Sequence, residues 1–205
     1  MSRLQTLVLA TRNRKKADEL RDLLAGLPVE LKTLADFPAA LDVEEAGATF
    51  ADNARQKARE QAITLSRWVL GEDSGLVVDR LGGRPGVYSA RYAGADATDE
   101  DNNRKLLEEL GGTPLAKRTA HYVCYVAVAD AAGEVRVEAE GRVNGLIETE
   151  PHGNQGFGYD PLFRVREYHK TFGQLGPRVK RHLSHRARAL EQLRPQLRIL
   201  LSTAG

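Results

Sequence analysis

The sequence predicts an α/β protein built on a mixed sheet, and three observations carry that reading. Apolar runs at Thr6–Ala10 and Val29–Leu34 flank a stretch in which Ala17, Leu20, Leu23 and Leu24 recur at helical spacing before Gly26 and Pro28. Ala120–Ala129 and the alternating Val135, Val137 and Ala139 enclose a turn at Asp130-Ala131-Ala132-Gly133-Glu134. This is an antiparallel hairpin, so the sheet cannot be purely parallel. Thr49-Phe50-Ala51-Asp52 and Thr98-Asp99-Glu100-Asp101 both read as capping boxes, opening helices to about Leu65 and Leu110. With 205 residues, the chain suits one domain, or two lobes sharing a sheet.

Composition narrows the class but not the function. Charged residues make up 28% and apolar ones 41%, with a net charge of +2, which marks neither a nucleic-acid nor a membrane binder. The sign is unevenly spread: Arg164 to Arg198 is basic, while acids gather at Asp36–Glu60 and Asp96–Glu109. Cys124 is the one cysteine and reads as a small core residue. No run is long and apolar enough to span a membrane, and an intracellular, cytoplasmic protein is expected.

Along the chain, four polar stretches interrupt this pattern. Thr11-Arg12-Asn13-Arg14-Lys15-Lys16 follows the first strand and precedes a helix, where free N–H groups and the helix dipole favour an anion; it reads equally as a capped helix start. Glu72-Asp73-Ser74-Gly75 separates two apolar runs, and Gly75 is expected to let the chain turn sharply there. Its adjacent carboxylates either hold a divalent metal or form a polar turn capped by Ser74. Phe157-Gly158-Tyr159-Asp160-Pro161 lies in a glycine-rich loop over Gly153–Phe163. Its rings either stack on a purine whose edge Asp160 reads, or anchor the loop in the core. Ser184-His185-Arg186 is expected to open a final helix with His185 and Arg186 exposed, and Pro195 to kink or restart that helix. Lys57 shares a helix face with Asn53, a surface position unless something is bound there. The basic stretch Arg178–Arg188 beside the aromatics near Tyr159 is also what a single-strand nucleic-acid binder would carry, although that reading leaves Glu72 and Asp73 without a task.

Taken together, Thr11-x-Asn13-x-x-Lys16, Glu44 with Thr49-Phe50-x-x-Asn53-Ala54-x-x-Lys57-Ala58, Glu72-Asp73-Ser74-Gly75-Leu76, Pro85-Gly86-Val87-Tyr88-Ser89-Ala90-Arg91, Phe157–Pro161 and Ser184-His185-Arg186 form an ordered set. The set resembles the Ham1/RdgB family of inosine and xanthosine triphosphate pyrophosphatases, from about Leu7 to Leu193. The resemblance implies an elongated mixed sheet flanked by helices, in two lobes with a nucleotide cleft between them. It implies a Mg2+-dependent homodimer that acts on a nucleoside triphosphate and binds neither nucleic acid nor membrane. ITP, dITP and XTP are its implied substrates, cleaved to monophosphate and pyrophosphate. By the same resemblance, Thr11, Asn13, Lys16 and Lys57 hold the triphosphate, with Arg12, Arg14 and Lys15 in the same loop. Glu44 and Asp73 hold the metal, although Glu45 is adjacent and the choice between the two stays open. Asp73 also orients or deprotonates water, and Ser74 lies beside it on the substrate. Phe157, Gly158, Tyr159 and Asp160 pack on and read the base, with Lys180, His185 and Arg186 closing over it. Donors from His185 or Arg186 aimed at a 6-oxo group would leave adenine mispaired.

Overall fold

The computed structural model describes residues 5–203. Seven strands form one mixed sheet in the order β2-β1-β3-β4-β5-β6-β7. They are β1 (Gln5–Leu9), β2 (Val29–Thr33), β3 (Trp68–Val78), β4 (Thr119–Ala129), β5 (Val135–Ile147), β6 (Phe163–Val165) and β7 (Lys170–Thr171). β1 is parallel to β2 and β3, whereas β6 is antiparallel to β5 and β7. Five helices accompany them among the described residues: α1 (Arg14–Leu24), α2 (Phe50–Leu65), α3 (Asp99–Glu109), α4 (Phe172–Leu183) and α5 (His185–Thr203). The chain divides into two compact units, the first holding the described residues up to Asp73, Cys124–Gly141 and those from Arg186 on, the second Ser74–Val123 and Arg142–His185.

In the first unit, strand alternation sorts the core into two layers. Leu7, Leu9, Leu70, Cys124, Val126 and Val128 pack with Leu20 and Leu24 of α1 and Leu190, Leu193 and Leu197 of α5. Val8, Ala10, Val69, Ala127 and Ala129, one residue out of phase, pack with Ala54, Ala58 and Ala62 of α2. The small alanines let α2 approach closely. In the second unit, Leu76, Val78, Tyr122, Val143, Ile147, Phe163 and Phe172 bury the apolar side of α3 through Leu106, with Leu110 just beyond its end. Tyr122 and Phe163 lie 4.6 Å apart, and Phe163 stacks on Phe172 at 5.5 Å.

Several elements differ from the sequence expectation. The acidic stretch contains no turn, because β3 runs extended from Trp68 through Glu72-Asp73-Ser74-Gly75 to Val78. Thr98 and Asp101 form a full capping box, but at α2 the Asp52 carboxylate accepts from the Thr49 hydroxyl rather than from its backbone N–H. α4 was not foreseen: Gly176 is non-helical at φ 74°, ψ 172° beside Pro177, which splits the helical pattern into pieces too short to read. Its start is marked by a capping box between Thr171 and Gln174. α5 runs on through Pro195 as one element.

Gly71 explains how closely α2 lies on β3. A Cβ added there would sit 2.1 Å from the Ala54 carbonyl oxygen and 2.7 Å from the Ala58 nitrogen, both helix backbone. Gly71→Ala is therefore expected to destabilise the fold by about 3 kcal/mol, the upper range for forcing a methyl into a packed interior. A urea titration showing a lower midpoint at an unchanged slope will check it.

Candidate functional site

The polar loop after β1 organises its own helix. Thr11 Oγ1 accepts from the Asn13 N–H at 3.2 Å, and Asn13 Oδ1 caps α1 by accepting from the Lys16 N–H at 3.2 Å. The capped-helix reading is thus realised, and it leaves the loop at a helix N-terminus where anions are favoured. Arg12 reaches the Ala40 and Leu41 carbonyls at 3.4 Å, while Arg14 and Lys15 are exposed. Lys16 extends inward, its Nζ 3.1 Å from Glu72 Oε2.

Glu72 and Asp73 are adjacent in β3, so their side chains leave opposite faces of the strand. Glu72 follows Leu70 on the α1 and α5 side and is 2% exposed. Its Oε1 accepts from Arg186 Nη2 at 2.9 Å and lies 3.5 Å from the Cys124 sulfur, and Arg186 also pairs with Glu19. Arg186 is 1% exposed, which corrects the expectation of an exposed helix start. Two carboxylates pair with its Nη1 and Nη2 groups, and neither is close to it in sequence. Burial works against the Arg186 charge, but Glu72 and Glu19 outweigh it and hold its pKa above the ordinary value. Burial pushes the Cys124 thiol well up, with Glu72 adding to the effect.

Asp73 follows Val69 and Gly71 toward α2. Its Oδ2 accepts from Asn53 Nδ2 at 3.0 Å, and its Oδ1 lies 3.4 Å from Lys57 Nζ. Lys57 Nζ also donates to Glu45 Oε1 at 2.9 Å. Lys57 is therefore a buried cation between two carboxylates rather than a solvated helix residue. Burial would lower its pKa, but Asp73, Glu45 and Glu72 more than compensate, and the ammonium persists. Burial raises the Asp73 pKa above the usual carboxylate value against the pull of Lys57 and Lys16. Of the two candidate acids in the preceding loop, Glu45 joins this cluster; Glu44 is exposed. Asn53 Oδ1 accepts from the Gly47 N–H at 2.8 Å, which ties that loop to α2 and turns Glu45 inward.

The donor set bears on a metal. No group of three or more His, Cys, Asp or Glu side chains converges among the described residues. Asp73 and Glu45 nonetheless converge on one cationic point with hard oxygen donors only. That set fits Mg2+, which commonly takes one or two carboxylates and completes its shell with water and phosphate.

In the second unit, Asp160 is 1% exposed and accepts from Lys180 Nζ at 2.6 Å and from the Phe157 N–H at 2.9 Å. The same ammonium stands 4.3 Å from the centroid of the half-buried Phe157 ring. Tyr159 is buried, and its hydroxyl donates to the Ser89 carbonyl at 2.8 Å. It anchors the loop, and Phe157 is the more exposed of the two rings. Ser74 is half-buried. His185 is 5% exposed and stacks on Tyr122 at 4.7 Å, again unlike the exposed position expected. Tyr159, Lys180, His185 and Arg186 are buried, while Arg178, Arg181, His182 and Arg188 of the same basic stretch are exposed.

Sequence reasoning missed the contribution of α3. Asn102 accepts from the Ala93 N–H at 2.8 Å and donates to the Ala90 carbonyl at 3.2 Å, holding the segment at Ala90 and Ala93, at the end of the Pro85–Arg91 motif. Asp99 accepts from the Gly158 N–H at 2.8 Å, and Asn103 donates to the Gly158 carbonyl at 3.0 Å. Their i, i+4 spacing was a usable signal. Glu19, one turn beyond Lys16, was missed in the same way.

Residues 7–196 match the Ham1 family. A dITP/XTP pyrophosphatase of Rhodopirellula baltica is 53% identical over 197 residues, 96% of this chain and 95% of that one. Another, of Geobacillus kaustophilus, is 47% identical over 202 residues and 98% of each chain. Among solved structures, a HAM1 protein from Coxiella burnetii is similar at a TM-score of 0.86 and 37% identity, over 98% of this chain and 100% of that one.

Arg186→Met leaves Glu72 buried without its principal cation. The expected cost is about 3–5 kcal/mol, the range for breaking a buried ion pair from one side. Chemical unfolding will measure it, and a loss below about 1 kcal/mol would return Arg186 to the weak class of exposed charges.

Proposed function

This chain belongs to the Ham1 family, and we propose that it hydrolyses deaminated purine nucleoside triphosphates (ITP, dITP and XTP) to the monophosphate and pyrophosphate. The observation that carries the reading is the buried cluster of Asp73, Glu45 and Lys57, with Lys16 held on Glu72 next to it in sequence. Relatives carrying the name dITP/XTP pyrophosphatase over nearly the whole chain support it.

A nucleoside triphosphate brings about four negative charges, and attack by water at its α-phosphorus needs them neutralised while pyrophosphate leaves. Lys16 and Lys57 supply fixed positive charge, and Thr11 and Asn13 shape the helix start that receives phosphate oxygens. The exposed Arg12, Arg14 and Lys15 add positive potential around it. Asp73 is the general base: burial makes it more basic than a solvated carboxylate, and Asn53 fixes its orientation. Asp73 and Glu45, in place of Glu44, hold Mg2+, which when bound supplies charge neutralisation at the phosphate oxygens. Ser74 contacts the substrate beside Asp73. Phe157 stacks on the base, with Gly158 and Tyr159 holding the loop and Lys180 and Asp160 presenting a donor and an acceptor to the purine edge. His185 supports this group from Tyr122, and Arg186 acts through Glu72 rather than on the base.

No helix among the described residues is long and apolar enough to cross a membrane. A cytoplasmic homodimer that engages the nucleotide, and neither nucleic acid nor membrane, completes the proposal, and light scattering will test the dimer.

Pyrophosphate release from ITP, XTP, dITP, GTP and ATP in the presence of Mg2+ is the decisive assay. The first three are expected to turn over well and the last two poorly. Removing divalent metal with a chelator is expected to abolish turnover. Asp73→Asn is expected to lower kcat by about 1,000-fold, within the range for losing a general base. Turnover of GTP and ATP at equal rates, or an unimpaired Asp73→Asn enzyme, contradicts the assignment.

A further inference from the structure

Gly158 takes a left-handed conformation, φ +62°, and nothing lies within 4 Å of where a Cβ would be, so no side chain of its own anchors it. Both of its backbone polar groups are instead gripped by one face of α3. The N–H donates to Asp99 Oδ2 at 2.8 Å and the carbonyl accepts from Asn103 Nδ2 at 3.0 Å. Residues four apart on a helix stand one above the other, so a rigid two-pronged clamp arises from the helix geometry. The preceding residue is Phe157, whose own N–H is fixed by Asp160 and whose ring carries the Lys180 ammonium. The backbone on both sides of the stacking ring is therefore tied down, one end by Asp160 and the other by α3.

Asn103 is kept at a cost. It is 9% exposed, and its Oδ1 is buried with no partner among the described residues. A buried unsatisfied oxygen is unfavourable, so an apolar residue of similar size would suit the packing at least as well. What Asn103 supplies in return is the bond to Gly158.

We propose that Asp99 and Asn103 are specificity-determining positioning residues, a clamp on Gly158 that sets where the Phe157 ring meets the base. The inference rests on the base-binding role given to Phe157 above. Purines that differ by one exocyclic group are separated by contacts at the ring edge, and a stacking platform free to shift blurs that register. The phosphate-binding and catalytic groups of the proposed function, Lys16, Lys57 and Asp73, belong to the first unit and the clamp to the second, so its loss acts on base choice rather than on chemistry.

The test is Asn103→Leu, with Asp99→Ala as a second variant and Asp99→Asn as the conservative control that keeps an acceptor. For each, kcat/KM is measured with XTP and GTP, and amide hydrogen exchange is followed over residues 156–160. In Asn103→Leu the XTP-to-GTP preference is expected to fall by about fivefold, the worth of one hydrogen bond. Its unfolding midpoint should not fall, and exchange in the loop should quicken. Asp99→Ala should behave alike in preference and exchange, and Asp99→Asn should retain most of both. A preference ratio equal to the parent's, or a proportional loss on both substrates, overturns the clamp's role in specificity. A parent enzyme that releases no pyrophosphate from XTP overturns the functional reading beneath it, a result visible before any variant is made.

Discussion

The period of a single β-strand governs the first unit of this protein. In β3 the side chains alternate, so Glu72 and Asp73, neighbours in sequence, are committed to opposite faces and to different partners. Two ionised carboxylates buried in the middle of a sheet would each cost several kcal/mol if left alone, on the order of the effective desolvation penalty for an ion. Each is answered by cations from a different helix layer. Lys16 of α1 and Arg186 of α5 meet Glu72, and Lys57 of α2 meets Asp73. A one-residue slip of this strand would send Glu72 toward the alanine face of α2 and Asp73 toward Arg186, and every pairing would fail at once. The close seat of α2 at Gly71 is what pins that register.

The second unit solves a different problem, that of holding an irregular loop still. Loops carry unpaired backbone groups and move unless those groups find partners. Here α3 supplies them, with Asn102 serving the loop at 90–93 and Asp99 and Asn103 serving Gly158. Tyr159 joins the two loops through the Ser89 carbonyl, and Ser89 Oγ in turn accepts from the Leu76 N–H at 2.9 Å on β3. The polar face of one amphipathic helix thus rigidifies two segments that have little regular structure of their own.

What could be read from the sequence followed from local chemistry. The alternation in β4 and β5, the apolar stripe of α5 and the Thr98 box are local patterns, and the structure contains each of them. The acidic stretch was misread as a turn because Glu, Asp, Ser and Gly together signal one, and only the distant cations of α1, α2 and α5 let them stay extended. Arg186 and His185 were placed at the surface for the same reason: Glu19, Glu72 and Tyr122 lie far away in sequence. α4 was lost to Gly176 and Pro177, whose local signal is a break. The motif residues can be picked out from the sequence, but whether each one faces a ligand or another protein group depends on partners that sequence spacing does not reveal. The pairing of Glu45, and not of its neighbour Glu44, with Lys57 is the sharpest instance, in a loop tied to α2 by the bond from the Gly47 N–H to Asn53.

The ion pairs around β3 in the first unit do not balance in charge, and the direction of the imbalance is informative. Glu19, Glu45, Glu72 and Asp73 face Lys16, Lys57 and Arg186, four carboxylates against three cations. Glu72, Asp73 and Arg186 are buried while Glu19 and Glu45 are only partly so, and a surplus of carboxylate over cation in such a group favours uptake of a cation over that of an anion. Lys57, lying between Asp73 and Glu45, already marks where positive charge is most stabilised. On the function proposed above, a divalent cation would reverse the sign of that balance and so let the cluster attract a polyphosphate on electrostatic grounds. In that reading the carboxylates couple phosphate binding to metal binding, and the lysines keep the coupling from becoming repulsion once the substrate arrives.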